Sequence, residues 1–286
     1  MQNQEENKML QLLNAEFYKL KKSKSFFICT LITILFVFLM YGIFLLTDNI
    51  QSGSMENGTG GGVVVSINQG EAEPTSASIW DNIHITDILQ EIFSGDTMAI
   101  IIGTFISIFV ISEYTSGMLK NIAGKGSPRS SIYLAKLLAS MFAAVFMAAA
   151  SIIATLICGR IFIGANAFEG DFWKNLPIYT ALQLLMTITL VSIFVLIGEL
   201  CRNLAAGIPI GIGIAAFPAI ILNIADMKFA GGSLLPSQLW PFTRMSGCPF
   251  DGFTASYTVQ TLLVAAFWLV LSTGLGIWHF SRTDIK

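Results

Sequence analysis

Residues 26–46 read FFICTLITILFVFLMYGIFLL, an apolar run without a single charge. A run of roughly 20 such residues is long enough, as a helix, to cross the hydrocarbon core of a bilayer. Five more apolar runs follow, at 97–112, 132–158, 177–198, 205–224 and 257–279. Only 12% of the chain is charged, against about 25% for an ordinary soluble domain, and 54% is hydrophobic. These features predict an all-α integral membrane protein with six transmembrane helices. The first run is too long for a secretory h-region and no clean cleavage site follows it, so no cleaved signal peptide is expected. The second run is short. Ile85, Ile88, Leu89, Ile92 and Phe93 precede it at helical spacing, and Ser94-Gly95-Asp96-Thr97 marks a break and a new helix start between them. "GELCRN" divides the fourth run from the fifth.

Lysine and arginine set the orientation. Lys8, Lys19, Lys21, Lys22 and Lys24 precede the first span, whereas 47–96 contains no base at all. Lys120, Lys125, Arg129 and Lys136 lie between the second and third spans or just inside the third. Arg202, Arg282 and Lys286 share their side, while only Arg160, Lys174, Lys228 and Arg244 fall opposite. Both termini are therefore expected in the cytoplasm.

Residues 1–25 carry Leu10, Leu13, Phe17 and Leu20 on one helical face, with Lys19, Lys21, Lys22 and Lys24 nearest the membrane. That pattern predicts an amphipathic helix along the inner interface, its lysines toward anionic headgroups. The external loop 47–96 is linker-like over 51–78, with "VVVSI" as a candidate short strand. Its eight carboxylates allow two readings: a by-product of the positive-inside rule, or a field that gathers cationic ligands.

Catalytic chemistry is not legible. His84 and His279 fall on opposite sides, so they cannot share a metal. Cys29, Cys158, Cys201 and Cys248 show no CxxC spacing. Cys158 and Cys248 lie on one side, which leaves a disulfide open, although free thiols suit the pattern better. "GKGS" at 124–127 lacks the first glycine of a phosphate loop, because residue 119 is Leu. No catalytic, cofactor-binding or metal site is expected. No ionisable residue lies near the middle of a span, which argues against an internal proton relay. Lys136, one turn inside the third span, is expected to snorkel to the cytoplasm. Energy for any uphill transport then comes from another subunit.

In the fifth span Gly207, Gly211, Ala215 and Ala219 recur every four residues, a small-residue packing stripe. Pro209 and Pro218 predict kinks in the same span. The stripe suits either packing within one subunit or an interface between subunits.

The polar insert EYTSGMLKNIAGKGSPRSSIYLAK, residues 113–136, is then a cytoplasmic loop. A Glu followed by a Gly, and a basic re-entry, resembles the permease subunits of ABC-2-type ATP-binding-cassette transporters. The resemblance also takes in "AEFYKLKKSKSFF", the turn at "GELCRN", "LLPSQLWPF" and the terminal "FSRTDIK". Within that class the chain is similar to small permeases beside lantibiotic-immunity and bacitracin-resistance ATPases. The resemblance implies a six-span permease domain over 26–286 with a coupling loop at 113–131. Glu113, Tyr114, Gly117, Lys120 and Arg129 would contact the ATPase. Glu113 would meet a base on that partner or cap the loop helix. Residues 225–256 would form a re-entrant or external helical cap. It also implies a cytoplasmic ABC ATPase dimer, a second copy or sister permease, the plasma membrane of a bacterium, and no nucleic-acid partner. Export of an amphipathic peptide or antibiotic is one expectation. Export of a lipid, polysaccharide or ion is another, and a non-transporting sensor or scaffold is a third.

Overall fold

A computed structural model describes residues 2–57, 85–117, 128–164, 168, 170–228 and 235–282. The regular secondary structure of these residues is all helical, and no strand occurs among them. "VVVSI", His84, Lys120 and the 124–127 glycine turn lie outside the described residues, as does most of the acidic loop.

Helix α1 spans Gln2–Lys22 and α2 Lys24–Asn57, separated at Ser23 by a tight turn in which its N–H donates to Leu20 O. Helix α2 continues well past the expected end of the first span. Once a helix is nucleated, each further residue adds a backbone hydrogen bond at little extra ordering, so the 51–57 stretch is helix rather than linker. Helix α3 spans Ile85–Ile92 and α4 Gly95–Thr115, with the break falling at Ser94 as expected. Helices α5 (Arg129–Phe162), α6 (Phe172–Cys201) and α7 (Leu204–Asp226) follow. A 3-10 turn, Pro236–Leu239, leads into the short α8, Pro241–Ser246. Helix α9, Ala255–Arg282, closes the fold.

Among the described residues five helices are long and apolar enough to cross a membrane: α2 over Lys24–Ile43, then α5, α6, α7 and α9. The sixth expected span is α4, Gly95–Thr115. Met98, Ile102, Phe105, Ile106, Phe109, Val110 and Ile111 are all buried, because α2, α6, α7 and α8 pack around α4. It is the centre of the bundle rather than a lipid-facing wall. By contrast α2, α7 and α9 leave many large apolar side chains uncovered, including Leu35, Phe217 and Phe267. Such surfaces suit lipid, not water.

Glycines set the close spacing at the centre. A Cβ on Gly207 would come 2.5 Å from Ile111 Cδ1, and one on Gly211 would come 3.0 Å from Phe194. A Cβ on Gly198 would likewise meet Val110 at 3.0 Å. Gly207, Gly211 and Ala215 are buried and Ala219 is packed against the core, so the four-residue stripe of α7 lies against α4 and α6 of the same chain. The turn at "GELCRN" is formed by Arg202 in the left-handed region (φ 49°) and by Asn203, whose side chain accepts from Ala205 N–H as a helix cap. At the other end of the bundle the 3-10 turn and α8 make a compact cap. Trp240 donates to Ala215 O (3.2 Å), Trp268 to Leu239 O (2.9 Å), and buried Arg244 donates to Thr261 Oγ1 (3.1 Å) and Tyr257 O (3.0 Å). All four cysteines are free thiols.

Candidate functional site, a buried ion cluster at one end of the bundle

The end that holds the α4–α5 connection gathers most of the chain's buried charge. Glu113 is in the last turn of α4, Glu199 in the last turn of α6, and Lys136 two turns into α5. All three are almost wholly buried. Lys136 Nζ lies 2.6 Å from Glu199 Oε1 and 2.8 Å from Glu113 Oε2. Tyr114 donates its hydroxyl to the second oxygen of Glu199. The rings of Tyr114 and Phe280 flank the Lys136 ammonium at 5.3 and 5.7 Å. Gly276 makes room for the Tyr133 ring, since a Cβ there would run into the Tyr133 hydroxyl.

Helix α1 adds the outer layer. Lys19 donates to Glu113 Oε1 and to Phe109 O (3.1 Å), and it sits 4.0 Å above the Phe109 ring. Glu16, one turn earlier and buried, places Oε2 3.9 Å from Lys19 Nζ. Arg202 stacks on the Tyr114 ring at 5.2 Å, and its Nε donates to Glu199 O. Helix α1 and three spans thus meet through Lys19, Glu113, Lys136 and Glu199. Removing one partner of a buried pair typically costs about 3–5 kcal/mol, because the other charge is left behind.

Several expectations change here. Lys136 does not snorkel: two carboxylates at its own depth hold it inside the bundle. Lys19 does not face headgroups: its ammonium turns inward onto Glu113. Glu113 and Tyr114 belong to α4 rather than to an exposed loop, and Glu113 finds its bases, Lys19 and Lys136, within its own chain. The buried residues of α1 are Glu16 and Leu20, with Leu12 and Phe17 half-buried against the core beside them, whereas Leu10 is exposed. Glu16 and Glu199 are absent from the sequence-based site. The available signal was depth. Glu113, Lys136 and Glu199 stand at matching distances from the same ends of their spans, with complementary signs.

Gly117 and Arg129 sit at the rim of the cluster. Gly117 follows α4 with φ +67°, a backbone conformation that glycine adopts without strain. Open space surrounds its Cα, so the turn itself, not a close neighbour, requires the glycine. Arg129, the first residue of α5, donates from Nη1 to Ser281 O (3.0 Å) and ties the start of α5 to the end of α9.

Comparison with known proteins adds one finding. Residues 12–217 match a family described as ABC-2 family transporter protein. No curated protein matches the chain.

Proposed function

The chain belongs to the ABC-2 family of transporter proteins, and on that premise we propose that it is the permease subunit of an ATP-driven exporter. It is a multi-pass membrane protein, and membership of this family implies an ABC ATPase as partner. In the proposed arrangement the coupling segment 113–131 lies on the cytoplasmic side, and Gly117, Lys120 and Arg129 contact that ATPase. Two permeases, identical or sister chains, pair with two ATPases. Glu113 and Tyr114 act one step inside the contact. They receive its displacement and pass it to α1, α5 and α6 through Lys19, Lys136 and Glu199.

One observation carries this reading: α4 ends, and α5 begins, near the point where one carboxylate, Glu113, holds both lysines. A force on the α4–α5 connection acts directly on the joint of four helices. The ion pairs are short and shielded, so they are rigid enough to transmit it.

Orientation has a direct check. A cysteine at Ser54 should react with a membrane-impermeant thiol reagent in intact cells, and one at Ser127 only after permeabilisation. Labelling of Ser127 in intact cells would reverse the proposed orientation.

The substrate class we favour is an amphipathic peptide or antibiotic. Support comes from the similarity to lantibiotic-immunity and bacitracin-resistance permeases in length and texture, and from uncovered apolar faces that reach the lipid from which such a molecule would be taken. The measurement is ATP hydrolysis by the permease–ATPase complex in liposomes. Cationic amphipathic peptide should raise hydrolysis above the basal rate. Binding without any change in hydrolysis would favour the sensor reading, and stimulation only by lipid or oligosaccharide would move the substrate class.

A further inference from the structure

The charges of the cluster do not balance. Three buried carboxylates, Glu16, Glu113 and Glu199, face two ammonium groups, Lys19 and Lys136. Each ammonium already serves Glu113, and Lys136 also serves Glu199. Glu16 is the carboxylate left over. Its nearest base is Lys19 at 3.9 Å, no base donates a hydrogen bond to its buried Oε2 among the described residues, and the group it faces most closely is another carboxylate, Glu113. Arg202 does not relieve it, being engaged with Tyr114 and the backbone of Glu199. A carboxyl buried beside another carboxylate and without a close base takes up a proton rather than keep its charge.

We propose that α1 seats on the bundle with a proton on Glu16, which makes α1 a proton-linked strap across the Glu113–Lys136–Glu199 cluster. The groups facing Glu16 are Lys19 on α1 itself, Glu113 on α4 and Lys136 on α5. Burial first, and then the Glu113 charge, push the Glu16 carboxyl up to about 7, against the smaller pull of the two lysines. With α1 lifted off, Glu16 returns to water and to the ordinary carboxylate value of 4.5. The seated state therefore binds the extra proton between those two values. Seating is strongest on the acid side, weakens as pH rises from 4.5 through about 7, and levels off above. Near neutral pH the strap is half titrated, so a modest change in cytoplasmic pH shifts how tightly it is held. The regulatory consequence rests on the coupling role proposed above, whereas the proton itself does not.

The test uses the full-length permease alone in lipid nanodiscs, so it is independent of any failure to couple with an ATPase. Amide hydrogen exchange in α1, corrected for the intrinsic pH dependence, reads the seating. Between pH 6 and 8 the protection of α1 should fall about tenfold, while the centres of α4 and α6 stay unchanged. Glu16→Gln, which mimics the protonated side chain, should hold α1 protected at both pH values. In wild type at pH 6, infrared difference spectra should show a protonated carboxylic acid that is lost in Glu16→Gln. Protection of α1 that ignores pH in wild type would overturn the proposal. So would a pH slope retained in Glu16→Gln, or the absence of the protonated carboxyl band at pH 6.

Discussion

Lys136→Met should destabilise the protein by about 3–5 kcal/mol, the cost expected when a buried ion pair loses one member. The methionine fills similar space, so packing is not the main loss. What remains is Glu113 and Glu199 buried with no ammonium between them. Lys19 still holds one oxygen of Glu113, but Glu199 keeps only the Tyr114 hydroxyl and the nearby Arg202. A paired change makes the prediction specific. Lys136→Met with Glu199→Gln removes one charge of each sign and leaves Lys19 with Glu113. That double variant should recover most of the stability lost by the single one. Unfolding of purified protein in mixed micelles gives the comparison, with abundance in membranes as a second readout. Wild-type stability in Lys136→Met, or a double variant no better than the single, would remove the cluster from its structural role.

The helices were legible in the sequence because their signal is local. The apolar runs, the new start at Ser94 and the turn at Arg202–Asn203 follow from composition and from residues next to one another. Helix α4 shows where local signals weaken. Its apolar part is short, yet it occupies the middle of the bundle, because length counts only what lipid requires and not what other helices cover. The ion cluster was harder to read for a related reason. A lysine one or two turns inside a span has a stem long enough to snorkel, and nothing in α5 itself says that it will not. Its two carboxylates belong to α4 and α6, brought within reach by glycine contacts such as Gly198 against Val110. Glu16 illustrates a choice of face. The stripe through Leu10, Leu13, Phe17 and Leu20 and the stripe through Leu12, Glu16 and Leu20 share an end. Only the partner helix α5 selects the second, with Phe17 still packed on Phe142 at 5.0 Å. The signs and depths of Glu113, Lys136 and Glu199 were present in the sequence, but they became a site only once three spans were placed side by side.

Glu113→Gln tests the proposed coupling most directly. The substitution also takes away the Glu113 charge that helps keep the proton on Glu16, so Glu16 can ionise and Lys19 and Lys136 then face Glu16 and Glu199, two charges of each sign; the fold should survive far better than in Lys136→Met. It removes the one carboxylate that holds both lysines, and with it the link from α4 to α1 and α5. A charge-assisted hydrogen bond contributes roughly 1.5–3 kcal/mol, and each 1.36 kcal/mol corresponds to about tenfold in rate. The measurement is ATP hydrolysis and export, side by side, in liposomes containing equal amounts of wild-type or Glu113→Gln permease with the ATPase. The account predicts that hydrolysis continues near the wild-type rate while export falls at least about tenfold. Export and hydrolysis both at wild-type levels in Glu113→Gln would contradict it.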